Sequence, residues 1–309
     1  MIIVTLILLG LCFGSFVNAL VFRLHEQSKL KAKSSKLKAK KTSLMAGDFK
    51  LGTRDLQDLS ILKGRSMCVN CHHTLSWYDL IPVLSWLSLR GKCHYCYKPI
   101  STQYPLVELA TAGFFIASYI WWPTATELHS SALCSWPFAL FGFWLIALTG
   151  LIALAIYDLK WFLLPNKVIY PMLFFVLATV FIKAIVLNPH LSPFNLSIVE
   201  GLLSTLYSVL IGGGLFYLIF QISNGKWIGG GDVKLGALLG LILADPGLTL
   251  LMIFLASLIG TGVSLPLLAL KRVKKDSHIP FGPFLIAGTI LARLFGAALI
   301  AWYRHLLIY

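Results

Sequence analysis

The chain has 309 residues, of which 58% are hydrophobic and only 12% charged. A soluble domain carries about 25% charged residues, so this composition with its long uncharged runs excludes a soluble globular protein and defines a polytopic membrane protein. The formal net charge of +14 would point to nucleic acid in a soluble protein. In a membrane protein it belongs first to the loops that set orientation, so no nucleic-acid partner is expected.

The first apolar run, Ile2 to Phe22, carries no charge. It lacks a basic start and a small-residue cleavage site, so it reads as a retained helix (residues 1–22) and not a signal peptide. Gly14, Ser15 and Asn18 mark a packed face on it. A hydrophilic region follows, to about Gln103. Its first part, residues 23–64, is an arm dense in lysine (Lys29, Lys31, Lys33, Lys36, Lys38, Lys40 and Lys41). Two readings are open: an ordinary positive-inside loop, or an arm that touches anionic membrane lipid, each near-surface Lys contributing on the order of 1 kcal/mol.

The second part, residues 65–103, holds Cys68-x-x-Cys71 and Cys93-x-x-Cys96. Four thiolates in two knuckles are the ligand set of a closed, tetrahedral structural zinc site; a redox or free-thiol cluster is the alternative. A cytoplasmic location argues against disulfides. His72, His73 and His94 then stand outside the ligand set, and Cys12 and Cys134 read as packing thiols. Between the knuckles, the aromatics from Trp77 to Trp86 form either a small core around the metal or a patch lying on the bilayer.

Seven further apolar segments follow, roughly 104–122, 137–157, 168–187, 197–222, 233–244, 248–270 and 284–302. The expected fold is therefore all-α and polytopic, with about eight transmembrane helices, a small zinc-stapled cytoplasmic domain and a seven-helix membrane domain over 104–309. No internal repeat is evident. The regions 23–103, 158–167, 223–234 and 271–281 hold 23 of the 26 Lys and Arg, and the alternate loops 123–136, 188–196 and 245–247 hold none. That asymmetry puts the first loop in the cytoplasm and both termini outside. The segment 233–244 is short: twelve helical residues reach about 18 Å against ~30 Å of hydrocarbon. Either Asp232 lies below the cytoplasmic surface, or Asp245-Pro246 lies within the outer half of the bilayer.

Only 12 acids are present, and Asp158 and Asp232 stand out because both fall where membrane helices meet the cytoplasmic loops. Asp232 follows Gly229-Gly230-Gly231, and Lys234 follows it. Glycines allow close backbone approach, and an acid at membrane depth is a functional group by default. Two carboxylates at one depth can form an aspartic dyad that shares a proton. The alternatives are a helix-capping Asp232 and two separate loop acids paired with Lys160 and Lys234.

Taken together and in order, the motifs resemble one family over nearly the whole chain: the bacterial type IV prepilin leader peptidases, bifunctional peptidase/N-methyltransferases of the GxGD aspartic protease class (family A24). The motifs are Gly14-Ser15-Phe16-Val17-Asn18 with Arg23-Leu24, Arg65-Ser66-x-Cys68-x-x-Cys71, and Trp77 to Trp86. Leu89-Arg90-Gly91-Lys92-Cys93-x-x-Cys96, Ile100-Ser101 and Tyr104-Pro105-Leu106-Val107-Glu108 come next. Asp158 with Leu164-Pro165, Gly229-x-Gly231-Asp232-x-Lys234 and Pro280-Phe281-Gly282-Pro283 complete the set. The resemblance implies an inner-membrane enzyme that removes the leader of prepilins and type II secretion pseudopilins after a glycine, on the cytoplasmic side. It then implies methylation of the new N-terminal residue, usually Phe, with S-adenosylmethionine. Asp158 and Asp232 map onto the family's catalytic pair, and Cys68, Cys71, Cys93 and Cys96 onto its zinc-binding set. Gly229, Gly231 and Lys234 are the candidates for contact with substrate, and Gly14, Asn18 and Glu108 for the methyl donor. Asn166 stands where the family often has Asp, and Trp227 where it often has Gly. A transporter or channel, with the two aspartates lining an ion path and zinc stapling a regulatory domain, is the competing reading.

Overall fold

The computed structural model describes residues 1–41, 66–71, 73–122, 136–186, 196–270 and 279–308. Most of the lysine arm, His72 and Cys134 lie outside the described residues. The helices are α1 (Ile2–Lys41), α2 (Leu84–Ser88), α3 (Gln103–Ile120), α4 (Trp136–Trp161), α5 (Asn166–Val186), α6 (Leu196–Val209), α7 (Leu215–Ile222), α8 (Gly230–Leu243), α9 (Pro246–Ala269) and α10 (Gly282–Ile308). A 3-10 turn covers Trp77–Leu80, and a π turn over Leu210–Gly214 joins α6 to α7. No strand occurs among the described residues, only two isolated bridges. Among the described residues, six helical stretches are long and apolar enough to cross a membrane. The two remaining apolar segments are the 18-residue α3, which carries Glu108, and the 14-residue α8. The protein is thus an all-α, multi-pass membrane protein, with six full-length spans among the described residues and α3 and α8 as two shorter apolar helices.

Packing divides the chain into Met1–Ala117 and Ser118–Tyr309. In the first unit α1 does not stop at Phe22. It continues unbroken to Lys41 because no Gly or Pro interrupts the stretch and Lys, Ala and Leu favour helix. Its inner face is set by spacing. Gly10, Gly14 and Asn18, one turn apart, meet Ala112, Glu108 and Tyr104 of the antiparallel α3. A Cβ on Gly10 would come 2.5 Å from Ala112 Cα, and one on Gly14 2.6 Å from Glu108 Cα. Asn18 Nδ2 donates to the Tyr104 carbonyl at 3.1 Å. Small residues that let two backbones touch are the usual membrane-helix seam, and the packed face expected at Gly14, Ser15 and Asn18 is this seam.

In the second unit α8 is the hub. Leu235, Gly236, Leu238, Leu239, Gly240, Leu241 and Leu243 are all buried. Burial on every side needs close neighbours, and the sequence supplies them. Gly236 lies against the backbone of Gly212 in the π turn, and Gly240 against the Ser208 carbonyl. Any Cβ at these positions would strike a carbonyl oxygen, so the π turn and the glycines of α8 fit one another. The short helix ends where Ala244 takes a left-handed conformation (φ 52°). Asp245 then caps α9, accepting from Leu248 N–H at 2.8 Å.

Candidate active site

Asp158 sits in the last turn of α4, which Phe162 ends in a left-handed conformation (φ 54°) while its N–H reaches back to the Asp158 carbonyl at 2.8 Å. The Asp158 side chain is buried, only 5% exposed. Its carboxylate accepts from the Gly282 N–H at the start of α10 and lies within the electrostatic reach of Asp232. Asp232 occupies the first turn of α8, and its carboxylate accepts from the N–H of Gly229, the residue that caps that helix. Asp232 is therefore not the cap itself, as one reading of the sequence has it: Gly229 caps the helix, and Asp232, three residues on, accepts from the N–H of that cap while it faces a second acid. Each carboxylate is placed at a helix N-terminus, where free N–H groups and the helix dipole favour negative charge.

The pairing of the two acids with lysines does not occur. Lys234 Nζ donates to Asn166 Oδ1 at 3.0 Å and lies 5.5 Å from the Tyr170 ring centroid. Lys160 Nζ lies 5.4 Å from the Trp161 ring centroid. Lys234 thus ties the start of α8 to the start of α5. Asn166→Asp would turn this hydrogen bond into an exposed ion pair, worth at most about 1 kcal/mol. We expect its melting temperature and its cleavage rate to stay close to those of the unsubstituted protein, as thermal unfolding and a leader-release assay would show.

The glycines before Asp232 differ from one another. Gly229 and Gly230 are exposed, and a Cβ on either would meet nothing closer than 3.7 Å. A Cβ on Gly231 would press on Leu164 at 3.2 Å. Gly231 therefore makes room for the 162–165 loop that follows Asp158, and the open backbone beside Asp232 belongs to Gly229 and Gly230. One residue of the site had no role assigned from sequence, although its motif Pro280-Phe281-Gly282-Pro283 was conspicuous. A Cβ on Gly282 would come 2.5 Å from Asp158 Oδ2. Gly282→Ala should therefore displace the carboxylate and lower leader release by about tenfold to a hundredfold with little loss of thermal stability, because a shift of about an ångström costs that much in rate.

The four cysteines of the first unit also converge. Two similar hairpins carry them. Cys68 N–H donates to His73 and Leu75 N–H to Ser66; Cys93 N–H donates to Lys98 and Ile100 N–H to Gly91, in the same register. The two Cys-x-x-Cys pairs fall at matching positions of this short repeat, and the backbone bonds extend it beyond them. The four Sγ atoms lie within 4.8 Å of one another, and Cys68 and Cys96 are 3.9 Å apart. Tetrahedral thiolates at the ~2.3 Å zinc–sulfur distance stand about 3.8 Å apart, so the set fits the ion. Burial pushes the Cys68 thiol up, but the Cys71 and Asn70 N–H groups outweigh it and bring it down to about 7. At Cys96 the Lys98 N–H pulls down; burial and the other three sulfurs prevail and raise it to about 11. His73 stacks on Tyr95 at 3.8 Å, and His94 Nδ1 lies 4.0 Å from Asp79, so neither competes as a ligand. Of the aromatics between the knuckles, Trp86 packs inward and donates to the Ile100 carbonyl at 3.3 Å, whereas Trp77, Tyr78, Leu84 and Leu87 are exposed.

A cavity in the same unit is lined by Asn18, Leu80, Trp86, Tyr104 and Glu108, among others. Glu108 is buried and accepts from the Val83 N–H at 2.7 Å and from Ser15. Gly14 does not line the cavity; its side is filled by the α3 backbone.

The fold and these centres define a multi-pass membrane protein with two aspartates within electrostatic reach of one another and a four-thiol cluster. Residues 8–122 match the bacterial peptidase A24 N-terminal domain, and residues 145–265 the type IV leader peptidase family. The chain is 33% identical over 265 residues to the prepilin leader peptidase/N-methyltransferase of Bacillus subtilis, covering 84% of this chain and 94% of that one. It is 30% identical to the proteins of the same name from Aeromonas hydrophila (79% and 76% covered) and Pseudomonas aeruginosa (94% and 89%). No solved structure matches it. The chain belongs to the type IV leader peptidase family.

Proposed function

We propose that this protein is an inner-membrane aspartic endopeptidase that removes the leader of type IV prepilins and type II secretion pseudopilins after a glycine on the cytoplasmic side, and then methylates the new N-terminus. The observation that carries the peptidase reading is the pair Asp158–Asp232, brought together from two separate helices with a backbone N–H on each carboxylate. The same arrangement at two helix ends, with both lysines turned elsewhere, favours a peptidase over an ion path.

The chemistry follows from a shared proton. The ionised carboxylate takes a proton from a water, whose oxygen attacks the carbonyl carbon of the scissile bond. The protonated carboxylic acid gives its proton to the carbonyl oxygen, and the roles reverse as the C–N bond breaks and the leaving amine is protonated. Gly282 N–H fixes the Asp158 carboxylate. Gly229 and Gly230, without side chains, admit an extended substrate backbone beside Asp232. Gly231 and Lys234 serve that site indirectly, by seating the Leu164 loop and the start of α5.

For the second activity, the cavity of the first unit holds the methyl donor. S-adenosylmethionine supplies a methyl group on a cationic sulfonium sulfur. The buried Glu108 carboxylate matches that charge, Asn18 offers its amide oxygen, and Trp86 and Tyr104 offer aromatic surface to an adenine. The thiolates of Cys68, Cys71, Cys93 and Cys96 hold zinc with no open position, so the metal stabilises the hairpins that wall the cavity.

The test is purified protein with a prepilin in detergent, followed by mass spectrometry. Release of the leader is expected without S-adenosylmethionine, and the mass of one methyl group on the product only with it. An unprocessed prepilin would end the peptidase reading. Glu108→Gln should weaken S-adenosylmethionine binding about tenfold, as calorimetry reads it, and leave cleavage unchanged. Wild-type affinity in that variant would remove Glu108 from the donor site.

A further inference from the structure

The second unit contains a cationic cavity with no part in peptide cleavage. Arg293 of α10 lies about 16 Å along the helix from Gly282, at about 1.5 Å per residue, and so well away from the aspartates. Its guanidinium is 4.9 Å from the Trp122 ring centroid and 6.0 Å from that of Trp144. Both indoles are buried, and the Trp144 N–H is already given to Ser118 Oγ at 2.9 Å, which fixes that ring and leaves its face to the cation. Lys183, in the last turn of α5, is close enough to repel Arg293, and both line one cavity of about 110 Å³.

Among the described residues no carboxylate lines this cavity and neither cation has an ion pair. The acid nearest in sequence to the cavity wall, Asp245, is spent on capping α9. One wall is formed where the short α8 ends, by its final residues Leu241 to Leu243 and by Ala244, which turns the chain away. The remaining lining is apolar, with Leu140, Phe143, Phe175, Val176 and Val180. Thr179 adds a hydroxyl whose proton goes to the Val176 carbonyl.

Two neighbouring cations within a bundle of membrane helices call for an anion, and ionisable groups at such depth are functional by default. An apolar wall beside them selects the kind of anion. We propose that Arg293 and Lys183 bind the phosphate of an anionic phospholipid from the leaflet opposite the aspartates, with its acyl chain against Phe143, Phe175 and Val176. The guanidinium takes two phosphate oxygens with its planar fork while its face stays on the indoles, and the exposed Lys183 closes over the entry. This site is separate from the lysine arm, which lies at the other end of the chain.

The experiment uses the full-length protein in detergent. Its thermal unfolding is followed with added phosphatidylglycerol, with zwitterionic phosphatidylcholine and with inorganic phosphate, and lipid retained through purification is counted by native mass spectrometry. Phosphatidylglycerol alone should raise the melting temperature and stay bound. Lys183→Gln, at an exposed position that cannot disturb packing, should weaken retention several-fold. Arg293→Gln should abolish it, and Arg293→Lys should restore part of it. Leader release by the Lys183 variant should equal wild type. Equal stabilisation by phosphatidylcholine or by inorganic phosphate would overturn the proposal, as would undiminished phosphatidylglycerol retention in Lys183→Gln and Arg293→Lys together with Arg293→Gln.

Discussion

Asp158→Asn and Asp232→Asn should each stop leader release, lowering its rate by at least about a thousandfold, and the double variant should be no slower than either alone. Groups that move one proton between them act as a unit, so the first loss removes nearly the whole effect. The amide keeps the size of the carboxylate, and its oxygen can still accept from Gly282 N–H or Gly229 N–H, so the helix starts survive. Thermal unfolding of both variants should therefore stay within a few degrees of wild type, which separates lost chemistry from lost fold. The wild-type rate should trace a bell against pH whose two limbs belong to the pair and not to either acid. Wild-type release by either variant would refute the dyad. A monotonic pH profile would refute the shared proton.

Asp158 and Asp232 could be picked from sequence because acids are so scarce in this chain that elimination leaves few. The membrane helices were equally legible, since a run of about 20 apolar residues has few other meanings. The position of α8 was half legible: its shortness showed a helix that does not reach across the bilayer, but not that Gly236 and Gly240 seat it against Gly212 of the π turn and Ser208. Such contacts join residues far apart in the chain and leave no local period to read. Gly282 illustrates the limit. Its motif is visible, yet the reason for the glycine is a carboxylate more than a hundred positions earlier. The end of α1 failed for another reason. The change from apolar to basic sequence at Arg23 marks a change of solvent, and a helix crosses such a boundary freely when the residues beyond it still favour helix. Only the Cys-x-x-Cys core of the hairpin repeat shows in the sequence; beyond it the likeness is carried by backbone bonds, and side chains at matching positions such as His73 and Lys98 differ.

Cys71→Ser should strip the zinc and with it most of the methylation, while leader release persists. Zinc bound by four thiolates contributes folding energy outright, because the hairpins around it bury little else. Cys71 and Cys96 are not buried, so the sulfur cage, not a surrounding core, must hold the knuckles together. Met67, Cys68, Val69, Leu75 and Cys93 also line the cavity assigned to the methyl donor. When the cage opens, that wall goes with it, and the catalytic acids, which lie in the other packing unit, keep their own supports. Metal analysis should fall from stoichiometric zinc to background, residues 66–100 should become readily cleaved by added protease, and methyl transfer should drop by about tenfold or more against a much smaller change in leader release. Acid should act like the substitution. Protons compete with zinc for every thiolate, so lowering the pH releases the ion, and chelation at neutral pH should give the same product pattern. Zinc retained by Cys71→Ser would refute the four-cysteine site. Zinc lost with methylation intact would show that the hairpins do not wall the methyl-donor cavity.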